Sequence, residues 1–269
     1  MTTARLFHVD AFATAPFTGN PAAVLVLDQP PGDGLGRRIG AEFNQPATAV
    51  TWPAGEAGRF GLRWFTATTE LDLCGHGTLA AARVLLAAGL GAQGEIRFDT
   101  RAGRLDAQAD GDWIRLRFPV LRPGPADPAL VAAVTGLLGG GPVAEVLRSD
   151  LDAMAVLGSQ AEVLGARPDL DALARLPVRG LIITAAADED ADFVSRFFAP
   201  ATGMAEDAVT GSAHCALAPY WIGRLGRQPL LGRQLSARGG QVRVTQDGAS
   251  VLLSGPALIL SEGSWLGPA

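Results

Sequence analysis

A short device occurs twice in this chain, and it restricts the fold more than any other feature. Arg63-Trp64-Phe65 leads through Glu70 to Cys74-Gly75-His76-Gly77-Thr78 and on into Leu79-Ala80-Ala81-Ala82. Arg196-Phe197-Phe198 leads through Glu206 to Thr210-Gly211-Ser212-Ala213-His214 and on into Cys215-Ala216-Leu217. An aromatic strand, an acidic residue, a small-residue turn with glycine and an apolar helix recur in the same order about half a chain apart. Such a duplication predicts two like halves facing each other across a cleft. A cleft between two helix N-termini suits an anionic ligand.

The rest of the chain is consistent with two halves. Its 269 residues exceed the usual single-domain length, and the 48% hydrophobic share is ample for two cores. The alternation of apolar and turn residues predicts strands over 6–9, 22–27, 48–52 and 60–65, a helix over 35–43, and a strongly apolar helix over 79–88 closed by Gly89 and Gly91. Three antiparallel strands over 96–99, 103–108 and 113–118 follow, with tight turns. Four prolines within 119–128 read as a linker. Beyond it come a helix over 129–138, strands over 154–157, 181–184 and 193–199, and a second apolar helix over 212–225 that Pro219 should kink or interrupt. Strand-like segments run from 234 to 260. The reading is an α+β fold of two domains, 1–118 and 129–269, each of strands wrapped round a central helix, with the C-terminal strand free to return to the first.

Composition excludes several functions. The sequence has no lysine, which removes a Schiff-base enzyme and the phosphate grip of a P-loop. A formal charge of −5 and the absence of a basic run argue against nucleic acid. No apolar stretch approaches the ~18 residues of a membrane span, and residues 1–10 are polar and strand-like rather than signal-like. The two cysteines lie inside the duplicated segments and do not suggest a secreted framework, so a cytoplasmic protein is expected. His8, His76 and His214 share no metal-ligand spacing; neither a metal nor a cofactor is expected.

The chemistry is expected at the two turns. His76 lies between glycines just before an apolar helix, where the dipole favours a bound carboxylate and keeps an imidazole neutral; a capping or buried histidine is the plainer alternative. Asp207 precedes the second turn and pairs with His76 as acid and base from opposite halves. Ser212 and Thr210 either bind a ligand or cap the helix. The backbones of Gly75, Gly77, Thr78 and Gly211 complete the ligand-binding set. Asn20 reaches a ligand carboxylate or forms a turn. Asp72, Cys74 and Gln45 are auxiliary candidates; a helix N-terminus lowers a thiol's pKa, although a small buried hydrophobe is the commoner role of such a cysteine. His214 is expected to be structural.

At these residues the chain resembles the PhzF family of phenazine-biosynthesis isomerase-like proteins, which are akin to diaminopimelate epimerase. The shared blocks are Val9-Asp10-Ala11-Phe12, Gly19-Asn20-Pro21-Ala22-Ala23-Val24, Phe60 to Thr66, Cys74-Gly75-His76, Glu206-Asp207 with Val209 to His214, and Arg238-Gly239-Gly240. The resemblance implies two similar epimerase-like domains, each a strand barrel about a central helix, with the site between them, a homodimer, and cofactor-free proton transfer on a small carboxylate. It places His76, Asp207 and Ser212 at active-site positions, and Asn20, Gly75 and Gly211 in the substrate pocket. Relatives typically read Asn-Leu-Ser-Glu-Thr-Ala-Phe, whose glutamate is the principal acid/base; here Asn44-Gln45-Pro46-Ala47-Thr48-Ala49-Val50 puts a methyl group in its place. Ala208 replaces a proline after Glu-Asp, which should loosen that turn. Three readings follow: another proton carrier, a substrate needing less help, or a binding protein on an enzyme's fold. A racemase using Cys74 is a further rival, with Thr210 where its second thiol should be.

Overall fold

Hydrophobic alternation and glycine-rich turns divide the chain into short strands interrupted by a few helices. The computed structural model describes residues 4–32, 34–188 and 190–267. In chain order the elements are β1 (Ala4–Ala11), β2 (Asn20–Val26), α1 (Leu35–Phe43), β3 (Ala47–Pro53), β4 (Arg59–Phe65), β5 (Glu70–Leu71), α2 (Gly75–Ala87), β6 (Glu95–Thr100), β7 (Gly103–Asp110) and β8 (Trp113–Pro119). They continue with β9 (Gly124–Pro125), α3 (Pro128–Leu137), β10 (Glu145–Arg148), β11 (Ala153–Val156), α4 (Gln160–Gly165), α5 (Leu170–Leu173), β12 (Leu181–Ala186), β13 (Phe193–Phe198), α6 (Gly211–Leu225), β14 (Leu230–Gln234), β15 (Gly240–Asp247) and β16 (Ser250–Trp265). The chain divides into two units, Met1–Arg117 with Ser254–Ala269, and Phe118–Leu253. The outermost positions 1–3 and 268–269 of the expected domains lie outside the described residues.

In the first unit the strand order β1-β2-β3-β4-β6-β7-β8-β16 closes on itself, because β16 also pairs with β1. Two of its pairings are parallel, β2 with β3 and β4 with β6. A parallel pair needs a crossover, and α1 and α2 supply them. Helix α2 is apolar on nearly every face, and Leu79, Ala80, Ala81, Ala82 and Leu85 are fully enclosed. Small residues let the strand wall approach: Ala23, Ala47 and Ala49 are also fully buried. Helix α1 covers the other side of the wall, over Leu25, Val50 and Phe65.

The second unit repeats this plan. The order β10-β11-β12-β13-β14-β15 again contains two parallel pairings, β11 with β12 and β13 with β14, crossed by α4 with α5 and by α6. Its outer core gathers Val134, Val146, Ala155, Val163, Ile183, Val194 and Phe198. The strands β10 and β9 and the short helices α4 and α5 have no counterpart among the expected elements, since runs of two to six residues give too little periodicity to read.

Two expectations need correction. Residues 119–128 are not a linker: β9 pairs with β10, and the N–H of Val120 donates to Ala249. Pro219 does not interrupt α6, which runs through it from Gly211 to Leu225. A proline lacks the N–H that would bond the carbonyl four residues back, here Cys215. The N–H of Leu121 takes that place at 3.1 Å, so the supposed linker supplies the bond the proline cannot make.

Candidate active site

The two duplicated segments fold alike, each inside its own unit. Arg63 grips Glu70 through Nε and Nη2, both at 2.8 Å. Arg196 grips Glu206 the same way at 2.7 and 3.0 Å. Each guanidinium lies over the aromatic ring two residues on, Phe65 at 5.1 Å and Phe198 at 4.8 Å. The acidic residue of the device is therefore a strut. Hydrogen bonding by Arg63 holds the Glu70 carboxyl below its usual range.

From the strut the chain turns into the helix through an extended residue, Cys74 in the first unit and Thr210 in the second, and neither side chain caps the helix. Of the other helices, α3, α4 and α5 are each capped by a side chain, Asp127, Ser159 and Asp169, while α1 begins behind Gly34, which has none to offer. A capping side chain at such a position is worth about 1 kcal/mol, and neither Cys74 nor Thr210 supplies it.

In the first turn His76 is buried, 8% exposed, beside Cys74 at 6%. The Cys74 Sγ stands 3.6 Å from His76 Nδ1 and 3.9 Å from Nε2. The Thr78 hydroxyl is fully buried and donates to the Cys74 carbonyl at 2.7 Å, so Thr78 closes the turn rather than presenting its side chain to a ligand. Gly77 has no room for a side chain: a Cβ there would lie 2.8 Å from Trp64 Cδ1, 3.2 Å from Cys74 Sγ and 3.4 Å from the Ala47 methyl. Ala47 thus lies directly against this turn. The nearby Trp64 indole N–H has no partner among the described residues. Asn20 opens β2 and is completely buried opposite Ala11. Asp72 is exposed and Gly75 half-buried. Gln45, half-buried, donates to the Phe43 carbonyl at 3.4 Å between α1 and β3.

In the second turn the Thr210 hydroxyl donates to Asp207 Oδ2 at 2.6 Å. Gln234, which the sequence reading missed, ties the turn from below: its Oε1 accepts from the Thr210 N–H at 2.9 Å and its Nε2 donates to the Asp207 carbonyl at 2.8 Å. Ser236 donates to the Ala208 carbonyl at 2.8 Å. The turn expected to be loosened by Ala208 is therefore pinned at three residues. Ser212 is half-buried, and its Oγ accepts from Arg179 Nη2 at 2.9 Å. Arg179 is also missed by the sequence reading, because it lies outside the duplicated segment.

Counting from the helix starts, Gly75 matches Gly211, His76 matches Ser212 and Thr78 matches His214. His214 does what Thr78 does: its Nδ1 donates to the Thr210 carbonyl at 2.8 Å. It is fully buried, and burial pushes its pKa down to about 4. Cys215, on the helix, is pushed up to about 12 by burial, which leaves it a thiol at neutral pH. His214 is structural, and the second unit presents no ionisable thiol.

Strands wrapped round one buried helix with an uncapped, functionally marked N-terminus, made twice in one chain, define the epimerase-like α+β class. The chain belongs to the PhzC-PhzF family of phenazine biosynthesis-like proteins, whose model matches residues 9–263. An uncharacterized isomerase of Pseudomonas aeruginosa is 42% identical over 96% of this chain and 97% of its own. A second from the same organism is 43% identical over 96% and 97%. The crystal structure of a PhzF family phenazine biosynthesis protein from Enterococcus faecalis superimposes with a TM-score of 0.88 at 36% identity, covering 98% of this chain and 99% of that one. Among the described residues no helix is long and apolar enough to cross a membrane.

Proposed function

We propose that this chain is a cofactor-independent isomerase that moves a proton, and with it a double bond, in a small cyclic carboxylate or amino or imino acid of bacterial specialised metabolism, acting as a cytoplasmic homodimer. The observation that carries this reading is the pair of uncapped helix N-termini, each with a buried titratable side chain in its turn, His76 in one and Asp207 in the other. One of the two takes a proton from carbon and the other delivers one at the far end of the conjugated system. Ser212 and the turn amides hold the carboxylate, and Asn20 orients the ring.

Ala47 carries no proton. The acid/base group next to its methyl is the Cys74–His76 pair, whose 3.6 Å separation lets a proton pass between thiol and imidazole. We assign the missing glutamate's work to this pair. The same methyl favours a second reading, a ligand-binding protein without turnover, because losing a general acid/base removes roughly 10²–10⁴-fold of rate.

Solvent-deuterium incorporation into a panel of cyclic unsaturated carboxylates and amino acids separates the two. The isomerase reading expects enzyme-dependent exchange in the parent, reduced by Cys74→Ser. Exchange that is absent in the parent and appears only in Ala47→Glu would establish the binding protein instead.

A further inference from the structure

Aligning the two units strand by strand exposes a difference at one corner. In the first unit Thr48 pairs with Phe65 and Ala49 with Trp64; in the second Leu181 pairs with Phe198 and Ile182 with Phe197. Gly180 is therefore the counterpart of Ala47, and Arg179 that of Pro46. The parallel neighbours match as well: Ala23 faces Thr48 while Ala153 faces Leu181, which makes Asp152 the counterpart of Ala22. The first unit builds this corner from alanine and proline. The second builds it from an aspartate and an arginine, so the fold itself does not require the charges.

The second unit's pair is held unusually firmly. Asp152 is completely buried, and it accepts from Arg179 Nε at 2.9 Å and Nη2 at 2.5 Å, with the Gly180 N–H as a further donor. Burial outweighs these bonds and raises the Asp152 carboxyl above its ordinary range. The Phe197 ring covers one face of the guanidinium at 5.3 Å. Burying a carboxylate opposes folding unless its partner is fixed with good geometry. Arg179 itself keeps about a third of its side chain exposed, and Nη1 bonds nothing among the described residues.

The consequence falls on Ser212. Its oxygen already accepts a hydrogen bond from Arg179 Nη2, so the hydroxyl proton is directed to some other acceptor. Ser212 lies in the first turn of α6, the uncapped end, at the position where the first unit carries His76. We infer that Arg179 is the anion anchor of the second turn: fixed by Asp152 and Phe197, it sets Ser212 as a donor and offers Nη1 to a carboxylate of the ligand. This rests on the proposed reading that the ligand is a small carboxylate. It adds that recognition of the negative charge resides in the second unit, on residues distinct from those that move the proton.

The test compares binding of cyclohex-1-ene-1-carboxylate with that of the corresponding carboxamide by calorimetry, in the parent, Arg179→Met, Arg179→Lys and Asp152→Asn, with thermal melting run alongside. Charge-assisted, fixed hydrogen bonds predict that the parent prefers the carboxylate by about ten- to a hundredfold. Arg179→Met should abolish this preference by weakening the carboxylate far more than the carboxamide; Arg179→Lys and Asp152→Asn should keep part of it. Equal affinity of the parent for both probes, or a preference that survives in folded Arg179→Met, overturns the anchor. Should the methionine variant melt early, the lysine variant decides: an undiminished preference there also overturns it. Selective binding through Arg179 without deuterium exchange on any substrate would refute the isomerase and keep the anchor. Exchange with carboxylate selectivity indifferent to Arg179 would do the reverse.

Discussion

The two turns have the same frame and different contents. Both use an arginine–glutamate strut under an aromatic ring, an extended residue and an uncapped buried helix. Into that frame the first places a cysteine and a histidine, the second a serine backed by an arginine and an aspartate backed by a threonine and a glutamine. What is shared is needed to aim a helix end. On the proposed reading, what differs sorts into proton-carrying groups in the first turn and, in the second, a proton-carrying aspartate beside the groups that recognise an anion.

The comparison can be broken at the strut. Arg196 is almost enclosed and also donates to the carbonyls of Val163, Leu164 and Ala166, whereas Arg63 is more open, and Glu70 has Arg101 as a second partner at 3.4 Å. Glu206→Ala therefore strands a buried charge, with an expected loss of about 3 kcal/mol in chemical denaturation. Glu70→Ala should lose about 1–2 kcal/mol, because its arginine can rehydrate. Equal losses would mean that the two struts do not differ in burial as described.

The histidine and threonine at the matched helix position give a comparison in pH. His214 protonates near 4 when folded, against 6.5 for an ordinary histidine. Below 6.5 the unfolded chain takes up a proton that the folded chain refuses, so this group's contribution is whole above 6.5 and falls as pH drops towards 4. The loss amounts to about 3 kcal/mol at the bottom of the window. His214→Thr copies Thr78 and should flatten the slope measured by urea midpoints over this range. An unchanged slope would assign the acid sensitivity to other groups.

Smaller effects are expected from exchanging the residues that follow. Gly77→Ala drives a methyl into Trp64, at a cost of about 1–3 kcal/mol. Ala213→Gly, the reverse change at the matched position, should cost about 1 kcal/mol through helix propensity alone. Melting temperatures that rank the two the other way would show that Trp64 yields easily and that the first turn is less tightly packed than the second.

Much of this was legible in the chain. The duplication, the two buried helices and most strands follow from apolar periodicity and glycine placement, and the residues around both turns follow from the repeat. The supporting residues were not legible. Gln234 lies on a later strand and acts through a tertiary contact that leaves no local pattern. Arg179 lies before the second repeat begins, in a segment that looks like an ordinary strand entry. Only the strand register shows that it matches Pro46, and only its bonds to Asp152 and Ser212 show why it is charged. Pro219 misled for a related reason: local chemistry predicts a kinked or interrupted helix, and the N–H that bonds the carbonyl the proline cannot reach, keeping the helix continuous, comes from Leu121, about a hundred residues earlier.

The central claim is that one proton-transfer machine takes a carrier from each turn. Its most direct test is the rate of solvent-deuterium exchange at a substrate carbon in the parent, His76→Ala, Asp207→Asn and the double variant, with the fold checked by circular dichroism. The account predicts a loss of roughly 10²–10⁴-fold in each single variant and little further loss in the double, because the two act as a unit. Full exchange in either single variant would contradict it.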